Sequence, residues 1–249
     1  MLARTAVPGA PSGPCRATAV FFDVDYTLIY PGPTFEAEGY RRFAGRHGLA
    51  VDPSRYGAAV AAASVELENA SGGAYRAELF VRFARRMLQE MGAAGPAVET
   101  CAREIYDEWA ACRHFSLYDD VRPALRALHA AGMRMGLISN THRCLSALQR
   151  HFDLAPYIGG AVSSSDHGYM KPHPGIFREA LRRLGAQPAE AVMVGDSLAN
   201  DIVGARRIGM RGVLVSRSGA EHPEAPGDVA VVRTLYELPP LLAGRPAAA

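Results

Sequence analysis

The chain has 249 residues, of which 49% are hydrophobic and 21% charged, a balance typical of a globular protein with a sizeable core. Its 27 basic and 25 acidic residues leave a net charge of +2, which predicts no nucleic-acid partner. No apolar run reaches the roughly 20 residues that span a bilayer, and residues 1–14 lack the apolar segment of a secretory signal. The four cysteines show neither close metal-ligand spacing nor a disulfide framework, so we expect a cytoplasmic protein.

The first predicted element is a short buried strand that ends on two carboxylates. Residues 19–22 are apolar, and Asp23 and Asp25 follow with one residue between them. Because alternate side chains of an extended chain share a face, both acids can enter one site beyond the strand, where open α/β sheets bind ligands. Two acids this close repel each other, which predicts a bound cation, a shared proton or both. The alternative is an acidic turn in which Asp25 caps the next element.

Residues 31–115 predict a helical domain inserted between two parts of another domain. Four helices are expected, over 34–47, 53–70, 74–91 and 96–111. Phe80, Phe83 and Trp109 are interpreted as the hydrophobic core of this insertion. Its arginines are interpreted as solvated faces, with one of them available to a second substrate anion.

From residue 116 onward, strands and helices alternate, which indicates a parallel sheet. Strands are predicted at 133–138, 157–163, 191–194, 212–215 and 229–232. The expected fold is a doubly wound, Rossmann-like α/β core with an inserted helical domain. The core comprises 17–30 and 116–243, the insertion 31–115, and the tails a disordered 1–16 and a frayed 244–249.

Two further polar groups follow predicted strands. Ser139 and Asn140 come at the predicted start of a helix over 141–151, where free N–H groups favour an anion; a plain helix cap is the alternative. Gly195 and Asp196 end another strand, and Asp201 follows five residues after Asp196.

Lys171 is the only lysine in the chain, beside 26 arginines. A compact ammonium and a planar guanidinium are not interchangeable where a cation must fit among several oxygens. The single lysine therefore marks a candidate site, although a chance survivor of a compositional bias is the alternative. It lies in a stiff Lys-Pro-His-Pro segment before a predicted helix.

These four stretches, in this order and spacing, resemble the motifs of the haloacid dehalogenase superfamily. The match covers roughly 17–30 and 116–240, and the insertion is similar in place and character to the type-one helical cap of that family. Tyr26 stands where relatives most commonly have glycine, a departure that bears on the loop after the strand but removes no reactive group. The matching residues are Asp23, Asp25 and Thr27 in the first motif, Ser139 in the second, Lys171 in the third, and Gly195, Asp196 and Asp201 in the fourth.

The resemblance implies a Mg²⁺-dependent phosphatase that acts on a small phosphorylated metabolite. Asp23 would attack phosphorus and form an aspartyl-phosphate, and Asp25 would serve as acid and then base. A general acid needs a raised pKa at neutral pH, and the negative charge of the neighbouring Asp23 would raise the pKa of Asp25. Lys171 would offset the negative charge of nucleophile and substrate.

The resemblance implies that the remaining motif residues bind the metal ion and the phosphoryl group or support the residues that do so. Mg²⁺ would be held by Asp23, Asp196 and the backbone carbonyl of Asp25. Ser139 and the N–H of Asn140 would hold the phosphoryl group. Asp201 would orient Lys171 or a metal-bound water, with Thr27 and Gly195 supporting the site.

Three other functions compete with this interpretation. A 2-haloacid dehalogenase of the same superfamily has no acid at the position of Asp25, so Asp25 argues against it. A phosphomutase shares both aspartates and is left open by the motifs. A non-catalytic binding protein on this fold would be free to lose the charged site residues. Their presence here therefore argues against this alternative. His142, near the second motif, is interpreted as a surface or capping residue, and the substrate and oligomeric state are not identified by the sequence.

Overall fold

The computed structural model describes residues 17–243. The two tails expected at 1–16 and 244–249 lie outside the described residues. Within the described range, no helix combines the length and apolar character needed to cross a membrane.

A six-stranded parallel sheet forms the centre of the molecule, which confirms the predicted α/β fold. The spatial order of its strands is β5-β4-β1-β6-β7-β8, so the chain builds outward from β1 in both directions. The strands are β1 (Ala19–Phe22), β4 (Arg134–Ser139), β5 (Ile158–Ser163), β6 (Ala191–Gly195), β7 (Arg211–Val215) and β8 (Ala230–Val232).

The first strand lies between β4 and β6, and its four residues are all buried. Phe22 is level with Leu137 of β4 and Val194 of β6, so these three strands end at one edge of the sheet. Asp23 and the residues that end or follow the other two strands therefore meet at this edge, where the strand order changes direction.

Helices cover both faces of the sheet, as a doubly wound fold requires. Ala19 and Phe21 face a core that includes α8 and α9, whereas Val20 and Phe22 face a core that includes α5, α6 and α10. The helices are α5 (Val121–Ala130), α6 (Leu145–His151), α7 (Ser164–His167), α8 (Pro174–Leu184), α9 (Gly204–Arg206) and α10 (Leu238–Leu242).

Two predicted helices begin differently from expectation. Helix α6 starts at Leu145 instead of residue 141, because the Thr141 hydroxyl accepts the N–H of Arg143 and holds the chain in a turn. The prediction that Ser139 and Asn140 lie at a helix N-terminus is therefore wrong. A π-helical turn, Leu198–Val203, precedes the short α9, whereas the sequence predicts one regular helix over 200–208.

Four helices separate β2 (Ile29–Pro31) from β3 (Phe115–Leu117), and these two short strands pair antiparallel. The strand pair was not predicted, since its three-residue strands carry too little pattern to distinguish from loops. We refer to residues 37–109 as the helical segment. Its helices start within three residues of the predicted positions and are α1 (Ala37–Arg46), α2 (Tyr56–Asn69), α3 (Ala77–Glu90) and α4 (Ala97–Trp109).

Candidate active site

The ammonium of Lys171 lies buried among three oxygen atoms at the carboxyl edge of the sheet. Its Nζ atom donates to Asp23 Oδ1 at 2.5 Å, Asp201 Oδ1 at 2.6 Å and the carbonyl of Ile138 at 3.0 Å. Burial by itself would lower the pKa of this ammonium, but the carboxylates of Asp201 and Asp23 outweigh burial and raise it. Lys171 is therefore charged, and all three donor positions of its ammonium are used.

The backbone of Lys171 is held by the side chain of Asn140. The amide group of Asn140 accepts the Lys171 N–H at 2.6 Å and donates to the Lys171 carbonyl at 3.1 Å. Sequence reasoning assigned Asn140 only a backbone N–H directed at an anion. The structure adds a positioning contact from its side chain, which joins the second and third motifs.

Gly195 allows Asp201 to approach the sheet closely. A Cβ atom at position 195 would lie 2.3 Å from Asp201 Oδ2, well inside contact distance, so only glycine fits. Asp201 Oδ2 accepts the backbone N–H of Ser197 at 3.1 Å, while its other oxygen accepts from Lys171. With both oxygens engaged, Asp201 positions Lys171.

A third carboxylate, that of Asp196, lies close to the two that bond to this ammonium. Oxygens of Asp23, Asp196 and Asp201 lie within 4.8 Å of one another, and the buried Thr27 hydroxyl lies 3.3 Å from an oxygen of both Asp23 and Asp196. Burial, followed by repulsion from Asp23, raises the pKa of Asp196 above its ordinary value. A cation beside Asp23 and Asp196 would relieve this repulsion, and their carboxylate oxygens are the donors that Mg²⁺ prefers.

Asp25 belongs to a separate ion pair that sequence reasoning missed. Nη1 of Arg143 donates to its two oxygens at 3.0 and 3.2 Å, and the Arg143 side chain is completely buried. Its guanidinium also donates to the Trp109 carbonyl at 2.8 Å and lies 4.1 Å from the Phe115 ring centroid. No sequence signal distinguished Arg143 from the other 25 arginines.

The pKa of the Asp25 carboxyl is raised above its ordinary value, as acid catalysis requires. Burial is the main cause, and Asp23 adds to the rise while Arg143 opposes it. The sequence predicts the direction of this change but indicates Asp23 alone as its cause. Arg143 therefore limits the rise in the pKa of Asp25 that burial causes.

Tyr26 adopts a left-handed backbone conformation, with φ of 62°. This conformation is rare for residues with a Cβ atom and free for glycine, which is the residue that the family resemblance leads one to expect here. The Tyr26 N–H donates to the Ile29 carbonyl at 2.7 Å, which closes the turn between Asp25 and β2. The departure from glycine therefore leaves the turn intact and adds an aromatic ring beside Asp25.

The structure brings together most of the residues that the sequence singled out. Asp23, Thr27, Lys171, Asp196 and Asp201 form one hydrogen-bonded cluster, with Gly195 against Asp201. Ser139 ends β4 beside this cluster and is buried; Asn140 bonds to Lys171. Asp25 faces Arg143 instead of Lys171.

A model of the haloacid dehalogenase-like hydrolase family matches residues 17–209, which contain every residue of this site. The chain belongs to this family. A ribulose-1,5-bisphosphate 5-phosphatase from Halopiger xanaduensis is 32% identical over 209 residues, 81% of this chain and 86% of that protein. A solved structure, a 2-haloacid dehalogenase from Pseudomonas syringae, is 28% identical with a TM-score of 0.63, and the match covers 91% of this chain and 98% of that one.

The haloacid dehalogenase-like hydrolase domain-containing protein 3 of Xenopus laevis is 35% identical to the chain over 129 residues. These residues make up 52% of the chain but only 50% of the relative, so the chain spans about half the length of this member of the family.

Replacing Arg143 with methionine should destabilise the fold, because it removes a buried guanidinium and leaves Asp25, whose side chain is only 17% exposed, without its partner. Loss of one member of a buried pair costs about 3 kcal/mol, whereas the exposed pair of Arg41 and Glu38 contributes less than about 1 kcal/mol. Urea unfolding of Arg143→Met and the matched control Arg41→Met measures the difference. Equal unfolding free energies for the two variants would contradict the structural role of Arg143.

Proposed function

We propose that this protein is a Mg²⁺-dependent phosphomonoester hydrolase that acts on a small phosphorylated metabolite through an aspartyl-phosphate intermediate. The observation that carries the proposal is the buried Lys171 ammonium at 2.5 Å from Asp23, with a second acid, Asp25, two residues along the chain. A relative named as a phosphatase, 32% identical over most of both chains, supports it.

Asp23 is the proposed nucleophile. One of its carboxylate oxygens attacks phosphorus while the bond from phosphorus to the leaving oxygen breaks, and Asp25 gives its proton to that oxygen. In the second step, Asp25 takes a proton from the water that attacks the aspartyl-phosphate, which releases inorganic phosphate and restores Asp23. The raised pKa of Asp25 supports a residue that alternates between acid and base.

Lys171 reduces the electrostatic repulsion between two anions, the Asp23 carboxylate and the phosphoryl group. Asn140 holds the backbone of Lys171, and Asp201 holds its ammonium, so both ends of the lysine are fixed. The hydroxyl of Ser139 and the backbone N–H of Asn140 are proposed to hold the phosphoryl oxygens at the end of β4.

The carboxylates of Asp23 and Asp196 and the backbone carbonyl of Asp25 would hold Mg²⁺. The fit rests on charge and donor type, since three carboxylates lie together beside one ammonium, and burial followed by repulsion from Asp23 raises the pKa of Asp196. When bound, the ion supplies positive charge beside the nucleophile and the phosphoryl oxygens. Thr27, at 3.3 Å from both carboxylates, would keep them oriented toward the ion.

The helical segment is proposed to act as a type-one cap on a core of residues 17–30 and 116–243. The loop between α2 and α3 supports this role, because it bonds directly to the chain around the catalytic lysine. The Gly72 N–H donates to the Lys171 carbonyl, and the Met170 N–H donates to Gly73. Ser71 also donates to the side chain of Asn200 at 2.6 Å.

The alternatives differ in what they predict for Asp25 and for the phosphoryl group. A dehalogenase does not use an acid at position 25, whereas here Asp25 is retained, buried and paired with Arg143. A phosphomutase would return the phosphoryl group to a sugar phosphate and need a bisphosphate activator, so release of inorganic phosphate separates it from a phosphatase. A cytoplasmic location stays a prediction from the sequence.

Replacing Asp23 with asparagine keeps the size of the side chain but removes the attacking charge. Turnover of p-nitrophenyl phosphate should fall by about a thousandfold or more, because covalent catalysis is lost. Asp228→Asn, at an exposed surface pair, is the matched control and should keep wild-type turnover. A folded Asp23→Asn enzyme, verified by circular dichroism, with activity within tenfold of wild type would refute the assignment.

Removing divalent metal should abolish phosphate release, and Mg²⁺ should restore it while Ca²⁺ does not. Calcium prefers longer bonds and more ligands, so it would not keep nucleophile and phosphate in line. Activity is measured after chelation and after addition of each ion, with 2-chloropropionate as a parallel substrate. Full phosphatase activity in excess chelator would refute the metal dependence, and chloride release would favour the dehalogenase alternative.

Replacing Lys171 with arginine should reduce turnover by about a hundredfold, because the longer, planar guanidinium misplaces the charge by about an ångström. The buried site leaves no room for this change, since the ammonium already contacts three oxygens within 3.0 Å. Steady-state kinetics measure the effect, and thermal unfolding controls for loss of structure. Near-normal turnover would show that the lone lysine is an accident of composition.

A further inference from the structure

A cavity of about 250 Å³ lies between the helical segment and the candidate active site. Asp25 and Asn140, from the ends of β1 and β4, form one side of its wall, so the cavity adjoins the proposed catalytic residues. Most of the remaining wall is apolar, with Phe80, Phe83 and Trp109 among its members. The interpretation of these three side chains as core alone was therefore wrong, since they also face the cavity.

Among residues 17–243, the cavity wall contains no lysine or arginine, and Asp25 is its only carboxylate. Several arginines of the helical segment instead pair with acids at the surface. Arg46 bonds to Glu104, and similar pairs join Arg85 to Glu99 and Arg86 to Glu90. The expectation that one of these arginines meets a second substrate anion finds no support in the wall of this cavity. An anionic leaving group would face Asp25 without a compensating cation.

Polar groups in the wall are few, and two of them are already engaged. The Tyr56 hydroxyl donates to the Phe35 carbonyl at 2.7 Å, and the Tyr106 hydroxyl bonds to that of Tyr75 at 2.6 Å. Tyr26 and Tyr40 bring two further hydroxyl groups to the wall. The wall is therefore suited to an uncharged group with a limited capacity for hydrogen bonds.

His142 stands out among the polar groups of the wall. Its ring stacks on Tyr106 with centroids 3.9 Å apart, and its buried Nε2 atom has no hydrogen-bond partner among residues 17–243. An unpaired buried nitrogen costs free energy, and a ligand in the cavity recovers it when the shielded His142 ring turns to present Nε2. Burial lowers the pKa of His142, so the ring is neutral and Nε2 can accept or donate one bond according to its tautomer.

The volume of the cavity limits the size of the group that fits. An apolar cavity of about 150 Å³ holds a benzene molecule in another protein, so this cavity holds one ring with small substituents. The cavity is below the roughly 300 Å³ at which pockets for drug-sized ligands begin. A nucleoside or a disaccharide is therefore too large.

We propose that this cavity receives the leaving group of the phosphomonoester, and that this group is uncharged, about the size of one ring, and bonded through one polar atom to His142 Nε2. The inference rests on the proposed function and specifies its substrate class. Phosphomonoesters that carry a second phosphate, a carboxylate or an ammonium on the leaving group fall outside this class.

The first test compares phenyl phosphate with 4-carboxyphenyl phosphate. The carboxylate makes the phenol a slightly better leaving group, so intrinsic reactivity works against the expected result. We expect kcat/KM to be about 100-fold higher for phenyl phosphate, because a buried charge without a partner costs several kcal/mol. Equal or faster turnover of the carboxylated substrate overturns the inference.

A cation placed in the wall should weaken this preference. Val60 of α2 lines the cavity, whereas Val65 of the same helix is exposed and is not part of the wall. Val60→Lys should reduce the preference for phenyl phosphate at least about tenfold by pairing with the carboxylate, and the matched variant Val65→Lys should leave it unchanged. Equal ratios in the two variants would place the leaving group outside the cavity.

The role of His142 is tested with the three monohydroxyphenyl phosphates. In the wild type, one isomer should exceed phenyl phosphate in kcat/KM by about tenfold, the value of one recovered buried hydrogen bond. His142→Phe keeps an aromatic ring against Tyr106 but lacks Nε2, so the ratio of kcat/KM between the best isomer and phenyl phosphate should fall to about one in this variant. A gain that survives in His142→Phe, or the absence of any gain in the wild type, overturns the role of His142.

Acetyl phosphate separates failure of this inference from failure of the proposed function. Its leaving group is too small to require the cavity, so its hydrolysis reports on the catalytic residues alone. If the wild type does not hydrolyse acetyl phosphate, or if Asp23→Asn hydrolyses it equally well, the proposed function fails. If hydrolysis depends on Asp23 but charged leaving groups are preferred, only the inference about the cavity fails.

Discussion

The contact between the Lys171 ammonium and the carboxylates of Asp23 and Asp201 is the interaction on which the candidate site depends. An isolated ammonium would not remain charged in a buried position, because burial penalises its charged form. Two carboxylates, supplied by segments more than 20 residues before or after it, make the charged state stable. This contact also depends on Asn140, which holds the backbone of Lys171, and on Gly195, which leaves space for Asp201.

The same contact leaves the site with an excess of negative charge. One ammonium is divided between two carboxylates, while Asp196 lies beside them with a raised pKa. Such an arrangement is costly in an empty site and suited to one that binds a cation. Asp25 avoids this competition because Arg143 supplies it with a separate partner. Two neighbouring aspartates of one motif are thereby placed in different electrostatic environments, which is what distinct roles require.

The helical segment restricts which chemical groups can reach these charged residues. Its loop at residues 71–75 bonds to the backbone around Lys171, and its apolar side chains form a cavity that ends at Asp25 and Asn140. The core thus presents a charged edge and the helical segment presents an apolar wall. Under the proposed function, this division would separate the chemistry at phosphorus from the choice of leaving group.

The sequence by itself determined the parallel sheet, the starts of the four helices of the helical segment within three residues, and every member of the cluster around Lys171. These features depend on local patterns, namely apolar runs in buried strands, helical periodicity and motifs at strand ends. Tertiary structure alone decided the pairing of Asp25 with Arg143, 118 residues apart, and the role of the Asn140 side chain. It also decided that Phe80 and Phe83 face a cavity. The physical reason is that such contacts depend on how distant segments pack, and one arginine among 26 carries no local pattern that reveals its partner.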